Sequence, residues 1–139
     1  MIGKTPPHAL KKKGFTLIEI IIVLTLIGII VGLGIPQYKH AAQRAREAVL
    51  KEDLFLMRKL INQFYTDKGK YPSSLQTLVD EKYLRSIPVD PMTKSAETWA
   101  EVRETLDIEE LTSGVEQGVM DVFSGSEKKG TDGTFYNSW

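Results

Sequence analysis

The sequence predicts an α+β fold: one long N-terminal helix, membrane-spanning in its first half and amphipathic in its second, packed on a small antiparallel β-sheet. Three observations predict it. The run Phe15 to Ile35 has only Thr16, Glu19 and Thr25 as polar members. Strong helix formers follow, with apolar residues at spacings of three and four, and the C-terminal third breaks into short β-leaning pieces separated by Gly. At 139 residues the chain is one domain's worth of protein.

The first element is the apolar run. A helix of that length covers ~30 Å of hydrocarbon, enough for one membrane span. Three lysines and a glycine precede it, in "KKKGFTLIEI". A cleavable secretory signal would have a shorter apolar core and a small-residue A-x-A site, and no A-x-A follows here. A plain signal-anchor fits the length, with the lysines on the cytoplasmic side. It does not explain Glu19, because a charge in hydrocarbon costs about 2.5–3.5 kcal/mol even on lenient scales and such residues usually have a partner or a role. Gly28 and Gly32 stand in a G-x-x-x-G spacing that lets membrane helices approach closely, although glycine is also common in spans that pair with nothing.

Beyond Pro36 the pattern stays helical. Ala41, Ala45, Ala48, Val49, Leu56, Leu60 and Phe64 form the expected apolar face, with charged residues on the other. Pro36 is tolerated as a kink, and Lys68-Gly69 supplies the stop. The result is a single helix of about 50 residues, roughly 75 Å long, half of which must be buried by lipid or by other copies.

"YPSSLQTLVDEKYL" predicts a turn at Tyr71-Pro72, a serine cap and a short helix carrying Leu75, Leu78 and Val79. "RSIPVDPMTKS" is a proline-bounded loop, "ETWAEVRETL" suits strand or helix, and "GVMDVFSGS" alternates as a strand does. "EKKGTDGTFYNSW" is a glycine-rich loop, and the whole region predicts three or four antiparallel strands.

Charge and composition exclude several function classes. Eighteen basic residues balance 18 acidic ones; without residues 1–14 the balance is 14 to 18, which is no general nucleic-acid surface. There are no cysteines, hence no disulfide, thiolate metal site or cysteine nucleophile. His8 and His40 have no evident partners, no nucleophile or phosphate-loop motif occurs, and nothing supports an enzyme. The acidic cluster Asp107, Glu109, Glu110 and Glu116 fits a solvated face. No cofactor is called for; Asp121 and Asp132 have the oxygen chemistry of calcium ligands but lack EF-hand spacing.

The basic leader ending at Gly14, followed by "FTLIEIIIVLTLIGIIVGLGIP", resembles the class III signal of type IV pilins and of the pseudopilins of type II secretion systems. The helix to Tyr65, "GKYPSSLQTLV" and "YLRSIPVDP" further resemble the major pseudopilins, and the fold implied is type IV pilin-like. The resemblance implies a leader over 1–14, a transmembrane and filament-core helix over 15–35, its amphipathic continuation over 36–66 and a periplasmic α+β region over 67–139. It further implies cleavage by a prepilin peptidase after Gly14, N-methylation of Phe15, and assembly roles for Glu19, Gly28, Gly32 and Pro36.

On this resemblance the subunit starts as a single-pass protein of a Gram-negative inner membrane. It then enters a homopolymer that meets minor pseudopilins and the inner-membrane assembly platform, and that drives export through the outer membrane. Two departures are visible: Asp90-Pro91 continues as Met92-Thr93 where major pseudopilins usually have Trp-Gly, and "DVFSGSEKKGTDG" matches their calcium loop only loosely. A pilin or minor pilin for twitching or DNA uptake shares every N-terminal feature, and a non-polymerising anchored binding protein is the third alternative.

Overall fold

A computed structural model describes Gly3 and residues 13–139; the leader residues 1–2 and 4–12, with His8, lie outside the described residues. The chain divides into two units, Met1–Lys39 and His40–Trp139. Helix α1, Leu17–Lys68, contributes to both.

In the first unit, α1 is opened by Thr16. Its hydroxyl accepts from the Glu19 amide at 3.3 Å, satisfying one of the amides a helix start leaves unpartnered, and its carbonyl accepts the first intrahelical bond, from the Ile20 amide at 3.2 Å. Thr25 donates its hydroxyl to the Ile21 carbonyl at 2.7 Å, which keeps that polar group paired within the helix. The helix continues through Pro36. It is the one helix among the described residues long and apolar enough to cross a membrane.

In the second unit, α1 buries Glu47, Leu50, Leu54, Met57, Ile61 and Phe64. These alternate spacings of three and four, and so form one stripe. They pack with Leu75 and Leu78, Trp99, Val119 and Val122, and Tyr136. The expected face is corrected here. Phe64 and, partly, Leu60 belong to the core, but Ala41, Ala45, Ala48, Val49 and Leu56 are not buried in this chain. At 100° per residue they lie opposite the buried stripe. The helix therefore carries two apolar faces, and only one serves the fold.

Helix α1 stops where expected. Gly69 has φ +71° and donates to the Tyr65 carbonyl at 2.8 Å, a left-handed closure that a side chain disfavours. The short α2, Leu75–Asp80, is capped by Ser74, whose hydroxyl accepts from the Thr77 amide at 3.3 Å. Strand β1 is Ala100–Arg103, α3 is Ile108–Thr112 and β2 is Val119–Phe123; a 3₁₀ turn at Tyr136–Ser138 follows.

β1 and β2 pair antiparallel, so the antiparallel sheet is present with two strands rather than three or four. The tail beyond β2 makes only the isolated bridge Lys129↔Phe135, because its short turn is tied internally, by Gly130 to Thr134 at 2.7 Å, instead of along a ladder. Strict alternation fails in β2 as well. Val102 faces Asp121 and Arg103 faces Val119, leaving Met120 as an extra residue. This bulge changes the parity, so Val119 and Val122 both reach zero exposure although they are three apart.

The two faces of α1 differ in what they contribute to stability. Leu54→Ala is expected to cost about 2–5 kcal/mol and Leu56→Ala under about 1 kcal/mol, because only the first leaves a cavity in the core. Urea unfolding followed by tryptophan fluorescence checks the contrast; equal losses would mean that both faces hold the fold.

Candidate functional site

The candidate processing and assembly segment begins at Gly14 and Phe15. Both are non-helical and exposed, directly ahead of α1. Glu19 is the third residue of α1, in the first turn, where the positive end of the helix dipole favours a carboxylate. "T-L-I-E" thus carries the spacing of a capping box from Thr16 to Glu19, a signal present in the sequence and overlooked there. No ion pair among the described residues involves Glu19.

From Phe15 to Ile35 every large apolar side chain is exposed, between 43% and 81%. A Cβ added at Gly28 or Gly32 would meet nothing within 4 Å, so nothing in this chain's own packing requires glycine there. This surface can do one thing chemically: bury itself against lipid or against other helices. Pro36 lies inside α1, and His40 is exposed on it.

Three polar groups that sequence reasoning missed organise the second unit. Glu47 is 6% exposed. Its carboxylate accepts from the Thr131 amide at 2.8 Å, the Thr131 hydroxyl at 2.6 Å, the Tyr136 hydroxyl at 2.8 Å and the Gln43 amide at 3.3 Å. Burial works against its ionisation, but these donors outweigh it and hold the Glu47 carboxyl below its ordinary 4.5. Burial, and beside it the charge of Glu47, push the Tyr136 hydroxyl up. The spacing of Glu47 from Leu50 and Leu54 was the available signal: it sits in the buried stripe, where an acid needs donors.

Arg58 donates to Asp121 at 2.7 Å, to the Val122 carbonyl at 3.0 Å and to the Trp139 main-chain oxygen at 2.6 Å. Asp90 is fully buried. It accepts from the Ser124 hydroxyl at 2.6 Å and from the Met92 amide at 2.8 Å. The Asp90-Pro91 loop thus closes with Met92 as donor. Half-buried Asp53 is raised by its burial and by the charges of Asp90 and Glu52.

The structure does not bring the two calcium candidates into a ligand set. Asp121 is engaged by Arg58, and Asp132 accepts from the Thr134 amide at 2.9 Å and hydroxyl at 2.6 Å, which lower its carboxyl. Among the described residues no three His, Cys, Asp or Glu side chains converge. In the acidic cluster, Asp107 and Glu110 close a capping box on α3, and all four acids are exposed.

Comparison with known proteins bears on the same segment. Residues 10–35 match the model of the prokaryotic N-terminal methylation motif. The chain is 31% identical over 97 residues to the type II secretion system core protein G of Pseudomonas aeruginosa, a match that covers 58% of this chain and 68% of that protein. It is 27% identical to the fimbrial protein EcpC of Eikenella corrodens over 92% of this chain and 80% of that one. The type IV major pilin protein PilE1 of Neisseria gonorrhoeae is 29% identical over 57% of this chain and 48% of its own length. No solved structure matches.

Glu47 makes the fold pH-dependent in a defined direction. A carboxyl depressed in the folded state stabilises above its unfolded value near 4.5, and that contribution is lost as pH falls through the lower folded value. Glu47→Gln is expected to cost about 1–3 kcal/mol at pH 7, the scale of charge-assisted hydrogen bonds, and to flatten the acid limb. Urea midpoints between pH 3 and 7 read this directly; a parallel acid limb in the variant would assign it to another group.

Proposed function

This chain belongs to the type IV pilin and pseudopilin family, and from that premise we propose that it is the polymerising subunit of a type II secretion pseudopilus. The observation that carries the proposal is an α1 whose first half buries nothing within the chain yet holds a carboxylate in its first turn. Such a helix is stable only in a bilayer or in a bundle of its own kind.

The steps are those the family resemblance implies for these residues. Prepilin peptidase reaches the exposed, non-helical Gly14-Phe15 bond on the cytoplasmic side, cleaves it, and Phe15 becomes the methylated N-terminus. Its amine is a cation in a medium of low dielectric, and the Glu19 carboxylate of a neighbouring copy neutralises it. Helix packing supplies the cohesion, with close approach at the open Gly28 and Gly32, and the charge pair sets the register. The helical Pro36 marks the passage to the amphipathic half. The region after the membrane faces the periplasm, where the filament grows from the inner-membrane platform with minor pseudopilins at hand. Its role is structural, with no reaction of its own.

A second reading, a subunit of a type IV pilus, draws on the fimbrial relative from Eikenella corrodens, whose match covers most of both chains. Both readings share the N-terminal chemistry and differ in the system served.

Mass spectrometry of the chain from its native membrane is expected to show a methylated Phe15 N-terminus. Glu19→Ala is expected to leave cleavage intact and to cut filament yield by more than about tenfold, since removing one partner of a charge pair in a poorly screened site costs over ~1.4 kcal/mol. An intact leader, or undiminished filaments from the variant, would overturn the proposal. Deleting the gene and measuring secretion against twitching separates the two readings.

A further inference from the structure

The connection between β1 and β2 is an unpartnered surface of residues 40–139. It carries Ile108 at 84% exposure and Leu111 and Val115 at 51% each. Ile108 and Leu111 share one face of α3, three residues apart, and Val115 follows the left-handed turn at Gly114. From Glu104 to Gln117 there are five acidic residues and no basic one. The surface is apolar at its crest and negative around it.

The free face of α1 has the opposite character. Ala41, Ala45 and Ala48 are small, Val49 is 51% exposed, and Arg44 and Arg46 flank them in solvent. From His40 to Lys51 the only acid is Glu47, and the exposed Glu52 comes one turn beyond Ala48. Glu47 is buried and held by Thr131, Tyr136 and Gln43, so it does not offset the arginines at the surface.

We propose that the α3 connection of one copy docks on the Ala41–Val49 face of α1 in a second copy. Ile108, Leu111 and Val115 would lie over the alanines, with Asp107, Glu109, Glu110 and Glu116 opposite Arg44 and Arg46. Large side chains meet small ones, and negative meets positive. The two surfaces are different patches of the same chain, so the contact is head-to-tail and propagates into an open filament rather than closing as a dimer. The inference rests on the polymer reading above and adds to it a specific subunit contact.

The chain has no cysteine, so introduced thiols report the contact cleanly. Full-length A45C/L111C, expressed with its assembly machinery and treated with a short thiol cross-linker, is expected to give a ladder beyond the dimer. Either single variant is expected to give none. R44E/R46E should weaken the ladder roughly tenfold, the scale of like charges facing each other at an interface. Adding E109K and E116K should restore most of it. These two acids are chosen because Asp107 and Glu110 cap α3 and are left alone.

Filaments from the A45C/L111C chain without a ladder would overturn this contact while leaving the polymer reading standing. So would a ladder indifferent to R44E/R46E, or a dimer formed as readily by L111C alone, which would mean that α3 meets itself. No polymer from the unsubstituted chain would remove both.

Discussion

The constraint on which the rest depends is that the first half of α1 has no cover of its own. Moving one Leu or Ile side chain out of water is worth about 1.5–3 kcal/mol, and here a continuous series of them remains exposed. The cover must come from lipid or from other chains. That requirement gives sense to glycines with open space at Gly28 and Gly32, and to a hydroxyl, Thr25, that is satisfied within its own helix. It also leaves the whole work of folding to the second half of α1 and what packs there.

A two-stranded sheet is not stable alone. β1 and β2 hold because Val119 and Val122 rest on the buried stripe of α1, and because polar anchors fix β2 and the C-terminal segment to it. Glu47 gathers Thr131 and Tyr136, and Arg58 gathers Asp121 and Trp139. Both anchors stand on one helix, so the irregular tail is located by hydrogen bonds rather than by a ladder. Asp90 does the same for the proline-bounded loop through Ser124. The polar groups inside this small region therefore determine where the loops lie, while the apolar ones supply most of the stability.

What could be read in advance was local. The apolar run, the stop at Gly69, the Ser74 cap and the presence of antiparallel strands all depend on a few neighbouring residues. The choice of α1's buried face did not. Ala41, Ala45, Ala48 and Val49 have the same three-four spacing as Leu50, Leu54 and Met57, so periodicity marks two stripes and cannot rank them. The ranking comes from partners far along the chain, such as Thr131, 84 residues from Glu47. The fate of Asp121 is likewise non-local: it resembles a calcium ligand in isolation, and Arg58, 63 residues earlier, claims it. The β2 bulge at Met120 shows only when β1 is laid beside it.

Two apolar faces on one helix answer two demands that conflict. A subunit must fold before it assembles, yet keep a surface for its neighbours. Leucines on both faces would fold as well but would present a contiguous apolar patch and associate indiscriminately. Alanines bury little area each, so a single encounter on the Ala41–Val49 face gains little, and flanking arginines reject surfaces of like charge. On the proposed contact such a face becomes adhesive only when many copies are aligned at once, as copies held in one membrane through the first half of α1 would be. Weak contacts repeated along a polymer then add, as they cannot between free monomers.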